Sequence, residues 1–358
     1  MSERKSRKGL WALTGIAGGV GLVAGAAVVA MAADRPRKAV SGVPGSGVPG
    51  SGVPGAQSNQ DDVFATPRLE PEIIPVVSAD GTELHVRVYG SPDADPIVFS
   101  HGWACSADYW NPQVNAFAEK YRVITYDLRG HGRSAMGDTP LAPDILGDDL
   151  AAVLAGTVRD GRKAAIVGHS MGGMSIVAWA GKYPEQVQQY ASSVLLASTG
   201  TDSLVAETRV IPLPQRFPRI PVPVGRVILG SAMPMPASPV TARAIKYVAM
   251  APGSTPAEVA FCARILTECH PRARGGWGAA LSSLDITDGL KNLQVPTTVL
   301  VGAADRLTPP AHSRRLAQML DDAENLERLV VLRGIGHMTS VEAVTDFNAE
   351  VERLRSLK

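Results

Sequence analysis

Cysteine is scarce: the 358 residues hold three, Cys105, Cys262 and Cys269. An odd count without paired spacing excludes a disulfide framework. Cys262 and Cys269 fall in "AEVAFCARILTECH", which reads as helix, and a rise of 1.5 Å per residue sets them about 10 Å apart along the axis, too far to bridge. The cysteines and the seven histidines form no group with ligand spacing, so no metal is expected. Net charge is also slight, +1, and neither a basic face nor a recognition motif is present. No nucleic-acid partner is expected.

That near-neutral balance is uneven. Residues 1–38 carry seven Lys/Arg against Glu3 and Asp34, and residues 201–276 carry nine against four, so each segment is +5 and the remainder is −9. The first segment also lacks charge from Gly9 to Ala33, a run long enough to make a helix of about 37 Å and cross a hydrocarbon core of about 30 Å. An uncleaved signal anchor in residues 1–38 is the expectation, with the catalytic part outside the cytoplasm. The alternative is a secreted protein, for which Ala30-Met31-Ala32 offers a cleavage pattern. Residues 39–71 follow, with three copies of Ser-Gly-Val-Pro-Gly. Such a stretch has no apolar face to bury and reads as a flexible linker.

From Glu72 onward the pattern changes to short apolar strands alternating with helical segments, the signature of a mainly parallel sheet covered on both faces. "EIIPVVSADGTELHVRVYG" reads as a hairpin turning at Asp80-Gly81. The runs "PIVFSHG", "YRVITYDLRG", "KAAIVGHS", "SSVLLAST", "PTTVLVGAAD" and "LERLVVLRGIGH" supply further strands. Between about 199 and 290 the rhythm breaks into a proline-rich and then helical insertion. At that position it would lie over the carboxyl ends of the strands as a cap.

Ser170 stands between Gly168 and Gly172, directly after one strand and before a helix. This sequence permits a sharp turn that exposes the serine. A hydroxyl needs a base to take its proton, and the base needs a carboxylate to orient it. His337 and Asp305 follow the last two strands and supply both at the same sheet edge. Acyl transfer further needs amide donors for an oxyanion, expected from Met171 after the nucleophile and from Trp103 after His101-Gly102. His101, His131 and His169 are expected to support turns, Asp127 to anchor its loop, and His85, His270 and His312 to lie at the surface.

Taken in order, "HGW", "YDLRGHGRS", "GHSMGG", "GAADRLTP" and "GIGHM" make the chain from about Glu72 to Leu354 resemble an α/β-hydrolase fold serine hydrolase. The resemblance implies an α/β fold with an eight-stranded, mostly parallel sheet, a cap after strand six, a Ser170-Asp305-His337 triad and no cofactor. Gly168, His169, Gly172, His101 and Gly102 take supporting places. A serine at the elbow disfavours epoxide hydrolases and haloalkane dehalogenases, which use aspartate there. The expected activity is carboxylic-ester hydrolysis of esterase or lipase type on a small-molecule or lipid ester, by a monomeric catalytic domain. A cofactor-free perhydrolase or haloperoxidase is the alternative, and a non-catalytic binding protein on the same fold the third reading.

Overall fold

Apolar, β-branched runs become the strands of one sheet, and the fully buried ones become its centre. The computed structural model describes residues 63–159, 161–210, 226–227 and 229–357. The expected signal anchor lies outside the described residues, as do most of the linker and residues 211–225 of the expected cap. Among the described residues no helix is long and apolar enough to cross a membrane.

The strands are β1 (Glu72–Val77), β2 (Glu83–Tyr89), β3 (Pro96–Ser100), β4 (Arg122–Tyr126), β5 (Ala164–His169), β6 (Ala191–Ala197), β7 (Thr297–Gly302) and β8 (Leu326–Leu332). The described residues build them into one eight-stranded sheet of order β1-β2-β4-β3-β5-β6-β7-β8. The hairpin β1–β2 and the β2–β4 pair are antiparallel. Every other pairing is parallel, so β3 to β8 all end at one edge.

Successive strand side chains point to opposite faces, and both faces are buried. On one side Val98, Ile124, Ile166, Leu196 and Val299 pack with Leu150 and Leu154 of α2 (Pro143–Thr157), Ile176 and Trp179 of α3 (Met171–Lys182) and Leu320 of α9 (Pro310–Asp322). On the other, Ile97, Phe99, Val123, Val167 and Leu300 pack with Val114 and Phe117 of α1 (Asn111–Phe117) and Phe347 and Val351 of α11 (Val344–Arg355). A short helix, α4 (Pro184–Tyr190), leads into β6.

Between β6 and β7 lie α5 (Leu204–Glu207), α6 (Pro239–Ala249), α7 (Pro256–Glu268) and α8 (Pro271–Leu281). Prolines that interrupt the sequence pattern here start helices: Pro239, Pro256 and Pro271 each occupy a first helical position, where no backbone N–H is needed. Thr255 and Glu258 add a reciprocal capping box to α7, satisfying two otherwise orphaned amides. Cys262 lies within α7, whereas Cys269 caps its carboxyl end, and all three cysteines are free and buried.

This insertion folds back over the sheet edge where β3 to β8 end. Trp103, in the loop after β3, donates from Nε1 to the Arg274 carbonyl at 2.9 Å. Trp277 is fully buried and donates to the Arg129 carbonyl in the loop after β4, also at 2.9 Å. The His337 amide, after β8, donates to the Ala249 carbonyl at the end of α6 at 2.9 Å.

Candidate active site

The chain turns sharply at Ser170 because neighbouring glycines let three backbone segments meet. Ser170 itself has φ 51° and ψ −117°, a conformation that a residue with a side chain adopts at a cost of about 1–3 kcal/mol. A Cβ on Gly172 would lie 2.0 Å from the Ser100 carbonyl oxygen, and one on Gly168 would lie 2.5 Å from that of Gly172. Glycine at both positions therefore permits β5 to pass directly into α3 against the end of β3. The Ser170 amide donates to the Ala197 carbonyl at 2.9 Å, and Thr199 Oγ1 donates to the Ser170 carbonyl at 2.7 Å. These bonds tie the turn to the end of β6.

Asp305 and His337 meet on the loops after β7 and β8. His337 Nδ1 donates to Asp305 Oδ2 at 2.8 Å, and both residues are 3% exposed. With Nδ1 protonated, Nε2 is the basic ring nitrogen. Asp305 Oδ1 accepts from the amides of Leu307 and Thr308, each at 2.9 Å. Thr308 Oγ1 lies 2.9 Å from Asp305 Oδ2, 2.9 Å from the Ser198 carbonyl and 3.2 Å from His337 Nδ1. The two loops are also joined through the backbone, with the Ala304 amide donating to the Ile335 carbonyl at 2.9 Å.

Ser170 is brought to this pair through its neighbour. His169 donates from Nε2 to the His337 carbonyl at 2.9 Å, and their rings are 4.9 Å apart. Among the described residues no hydrogen bond joins the Ser170 hydroxyl to the His337 ring; such bonds commonly tighten only around substrate. A Cβ on Gly102 would lie 3.2 Å from Ser170 Cβ, so the loop after β3 passes directly over the serine. The Met171 and Trp103 amides have no backbone acceptor among the described residues. Met171 begins the helix after Ser170, and Trp103 lies in the loop that passes over it.

Two further histidines hold that loop and remain neutral. His101 donates from Nδ1 to the Gly102 carbonyl at 2.8 Å and accepts at Nε2 from the Leu128 amide at 3.0 Å. His131 donates from Nδ1 to the Arg129 carbonyl at 3.1 Å and accepts at Nε2 from the Ala104 amide at 3.2 Å. Burial lowers the pKa of His101 and, with His101 beside it, brings that of His131 down to about 3. Burial, with His337 nearby, also holds His169 well below the usual histidine value. Asp127 accepts from the amides of Ala107 at 2.7 Å and Arg133 at 3.0 Å. Burial raises its pKa, but His85, His101 and those amides outweigh it and bring the value to about 2.

Two histidines expected at the surface are elsewhere. His85 Nδ1 lies 3.2 Å from Asp127 Oδ2, with its side chain 13% exposed. His312 is buried; its Nε2 lies 3.5 Å from Glu207 Oε2, and it accepts at Nδ1 from Arg315 at 3.0 Å. The acidic partners come from distant segments, so the local sequence around either histidine gave no sign of them. His270 is exposed and accepts from the Arg272 amide at 3.3 Å, capping α8. Thr308 was missed although it lies inside "GAADRLTP"; its distance from Asp305 suits a turn around that carboxylate, which was the available signal. Among the described residues no group of three or more His, Cys, Asp or Glu could hold a metal.

A mostly parallel sheet with an antiparallel edge, a serine at a strained strand-to-helix turn and an acid–histidine pair on the loops after the last two strands together define a hydrolase of the α/β class. The model of the alpha/beta hydrolase family matches residues 97–350, and the chain belongs to that family. It is 31% identical over 240 residues to a non-heme chloroperoxidase of Burkholderia pyrrocinia, covering 66% of this chain and 84% of that protein. It is 29% identical over 280 residues to a bifunctional esterase/perhydrolase of Acinetobacter calcoaceticus, covering 75% and 95%. Among solved structures, an esterase from Rhodococcus sp. ECU1013 superposes with a TM-score of 0.60 at 25% identity, covering 80% of this chain and 99% of that one.

Proposed function

We propose that this protein hydrolyses carboxylic esters through an acyl-enzyme on Ser170. The hydrogen bond from His337 to Asp305 carries the reading, because it leaves Nε2 as the base for a nearby hydroxyl. Ser170 Oγ attacks the ester carbonyl carbon while His337 takes its proton. The Met171 and Trp103 amides hold the oxyanion, and Asp305 stabilises the imidazolium. His337 then protonates the departing alcohol, and water repeats the sequence to release the acid. A lipid ester rests on the composition of the cap alone, whereas the esterase name of one relative and one solved structure supports esters in general.

Perhydrolysis is the second reading, favoured by the relatives named as a chloroperoxidase and an esterase/perhydrolase. Hydrogen peroxide would replace water at the acyl-enzyme and leave as a peracid. A tether at the outer membrane face belongs to the same proposal, supported by the uncharged run Gly9–Ala33.

The test is turnover of p-nitrophenyl esters of increasing chain length by the full chain and by Ser170→Ala, with and without peroxide. Loss of turnover in the variant is expected, and equal turnover would overturn the mechanism. The chain-length optimum separates small esters from lipids, and peracid formation identifies perhydrolysis.

A further inference from the structure

We infer that Glu342 is a positioning residue that fixes the backbone on both sides of His337 and ties it to the cap. This rests on the proposed role of His337 as base. Glu342 ends α10 (Thr339–Glu342), just beyond the histidine. Its Oε1 accepts from the Met338 amide at 3.0 Å, and its Oε2 accepts from the Gly336 amide at 3.1 Å. The residues before and after His337 are thus held by one carboxylate.

The same Oε2 accepts from the Ala251 amide at 2.7 Å and lies 2.8 Å from Ser254 Oγ. Both residues lie in the link between α6 and α7 of the insertion, whose Ala249 carbonyl receives the His337 amide. Packing leaves this junction little slack: a Cβ on Gly336 would lie 2.5 Å from the Ala251 nitrogen. A shift of this cap segment is therefore transmitted to His337 through Glu342, without any contact between Glu342 and the reacting atoms.

The experiment compares the full chain with Glu342→Ala, Glu342→Gln and Ser254→Ala in p-nitrophenyl acetate turnover and fluorophosphonate labelling of Ser170. A misplacement near 1 Å at a base costs on the order of 100-fold in rate. The alanine variant is expected to lose roughly 10- to 100-fold in kcat, with KM changed less than about threefold. Labelling should slow by the same factor but reach the same final extent. Glutamine keeps one acceptor oxygen and should recover most of the rate, whereas Ser254→Ala, which breaks only a link to the cap, should lose two- to fivefold.

Unchanged kcat and labelling rate in Glu342→Ala would overturn the inference, as would a smaller labelled fraction reacting at the wild-type rate, which marks unfolding alone. If the alanine variant does not fold, wild-type rates in both other variants overturn it. A wild type that neither turns over ester nor labels refutes the proposed function, and this inference with it. An active wild type beside an unchanged Glu342→Ala refutes this inference alone.

Discussion

His169 donates its Nε2 proton to the main-chain carbonyl of His337, 2.9 Å away. The residue before the candidate nucleophile thereby holds the residue proposed as its base, and the Tyr109 ring stacked 4.7 Å from His169 keeps the imidazole in place. Replacing His169 with phenylalanine keeps a ring but leaves the carbonyl unpaired, which costs about 1–3 kcal/mol when buried. His169→Phe is expected to lose roughly tenfold in kcat and to unfold at lower urea concentration. Ester turnover and urea titration check both; an unchanged kcat would detach His169 from the site.

Asp305 is expected to act through its charge and through the tautomer it selects. In Asp305→Asn the amide group can donate to His337 Nδ1, which would place the ring proton on Nε2 and remove the base. Loss on the order of 10⁴-fold in kcat is expected. Thr308→Val removes the hydroxyl 2.9 Å from Asp305 Oδ2 but leaves the carboxylate, so its loss should stay near tenfold, the scale of one hydrogen bond. Steady-state kinetics of the two variants distinguish charge from orientation. Equal losses would contradict this division of roles.

The elbow gives a steric prediction. A methyl group on Gly172 would meet the Ser100 carbonyl oxygen at 2.0 Å, far inside contact distance, and backbone cannot rotate away as a flexible side chain could. Gly172→Ala is expected to separate α3 from β3, lower the thermal midpoint by many degrees and abolish labelling at Ser170. Gly181 in the same helix has its nearest neighbour 3.4 Å from such a methyl group. Gly181→Ala should therefore fold and label normally, and comparison of the two by thermal melting and labelling tests the assignment.

The local sequence carried much of this because a strand end, a turn and a reactive side chain lie within a few residues of one another. "GHSMGG" contains both the serine and the glycines its turn requires, and "GAADRLTP" both the acid and the threonine beside it. Continuous apolar runs alternating with helical segments likewise revealed the parallel strands. Long-range partners were not legible: His85 reaches Asp127 and His312 reaches Glu207 only after the sheet and insertion have folded. Glu342 was hidden for the same reason, since two of its four donors lie in the cap. The prolines of the insertion looked like breaks, although three of them begin helices.

The buried histidines predict how stability depends on pH. His101, His131 and His169 have folded pKa values below their ordinary value, with His131 at about 3, each primarily through burial. An unfolded chain binds protons to these rings near pH 6.5, whereas the folded chain resists. Their contribution is fully present above that pH and is lost as pH falls from about 6.5 towards the folded values. The lowered carboxylates Asp80 and Asp127 act in the same direction but begin to lose stability only near pH 4. Between pH 6.5 and 5 those two carboxylates stay ionised in both states; His312, also lowered by burial, adds to the histidine loss, while Asp149 and Glu258, raised by burial, act in the opposite direction. The urea midpoint should fall steadily through this interval, and His131→Gln should flatten the slope even if it lowers the midpoint at pH 8. A wild-type midpoint constant between pH 7 and 5 would show that these rings are not held neutral by the fold.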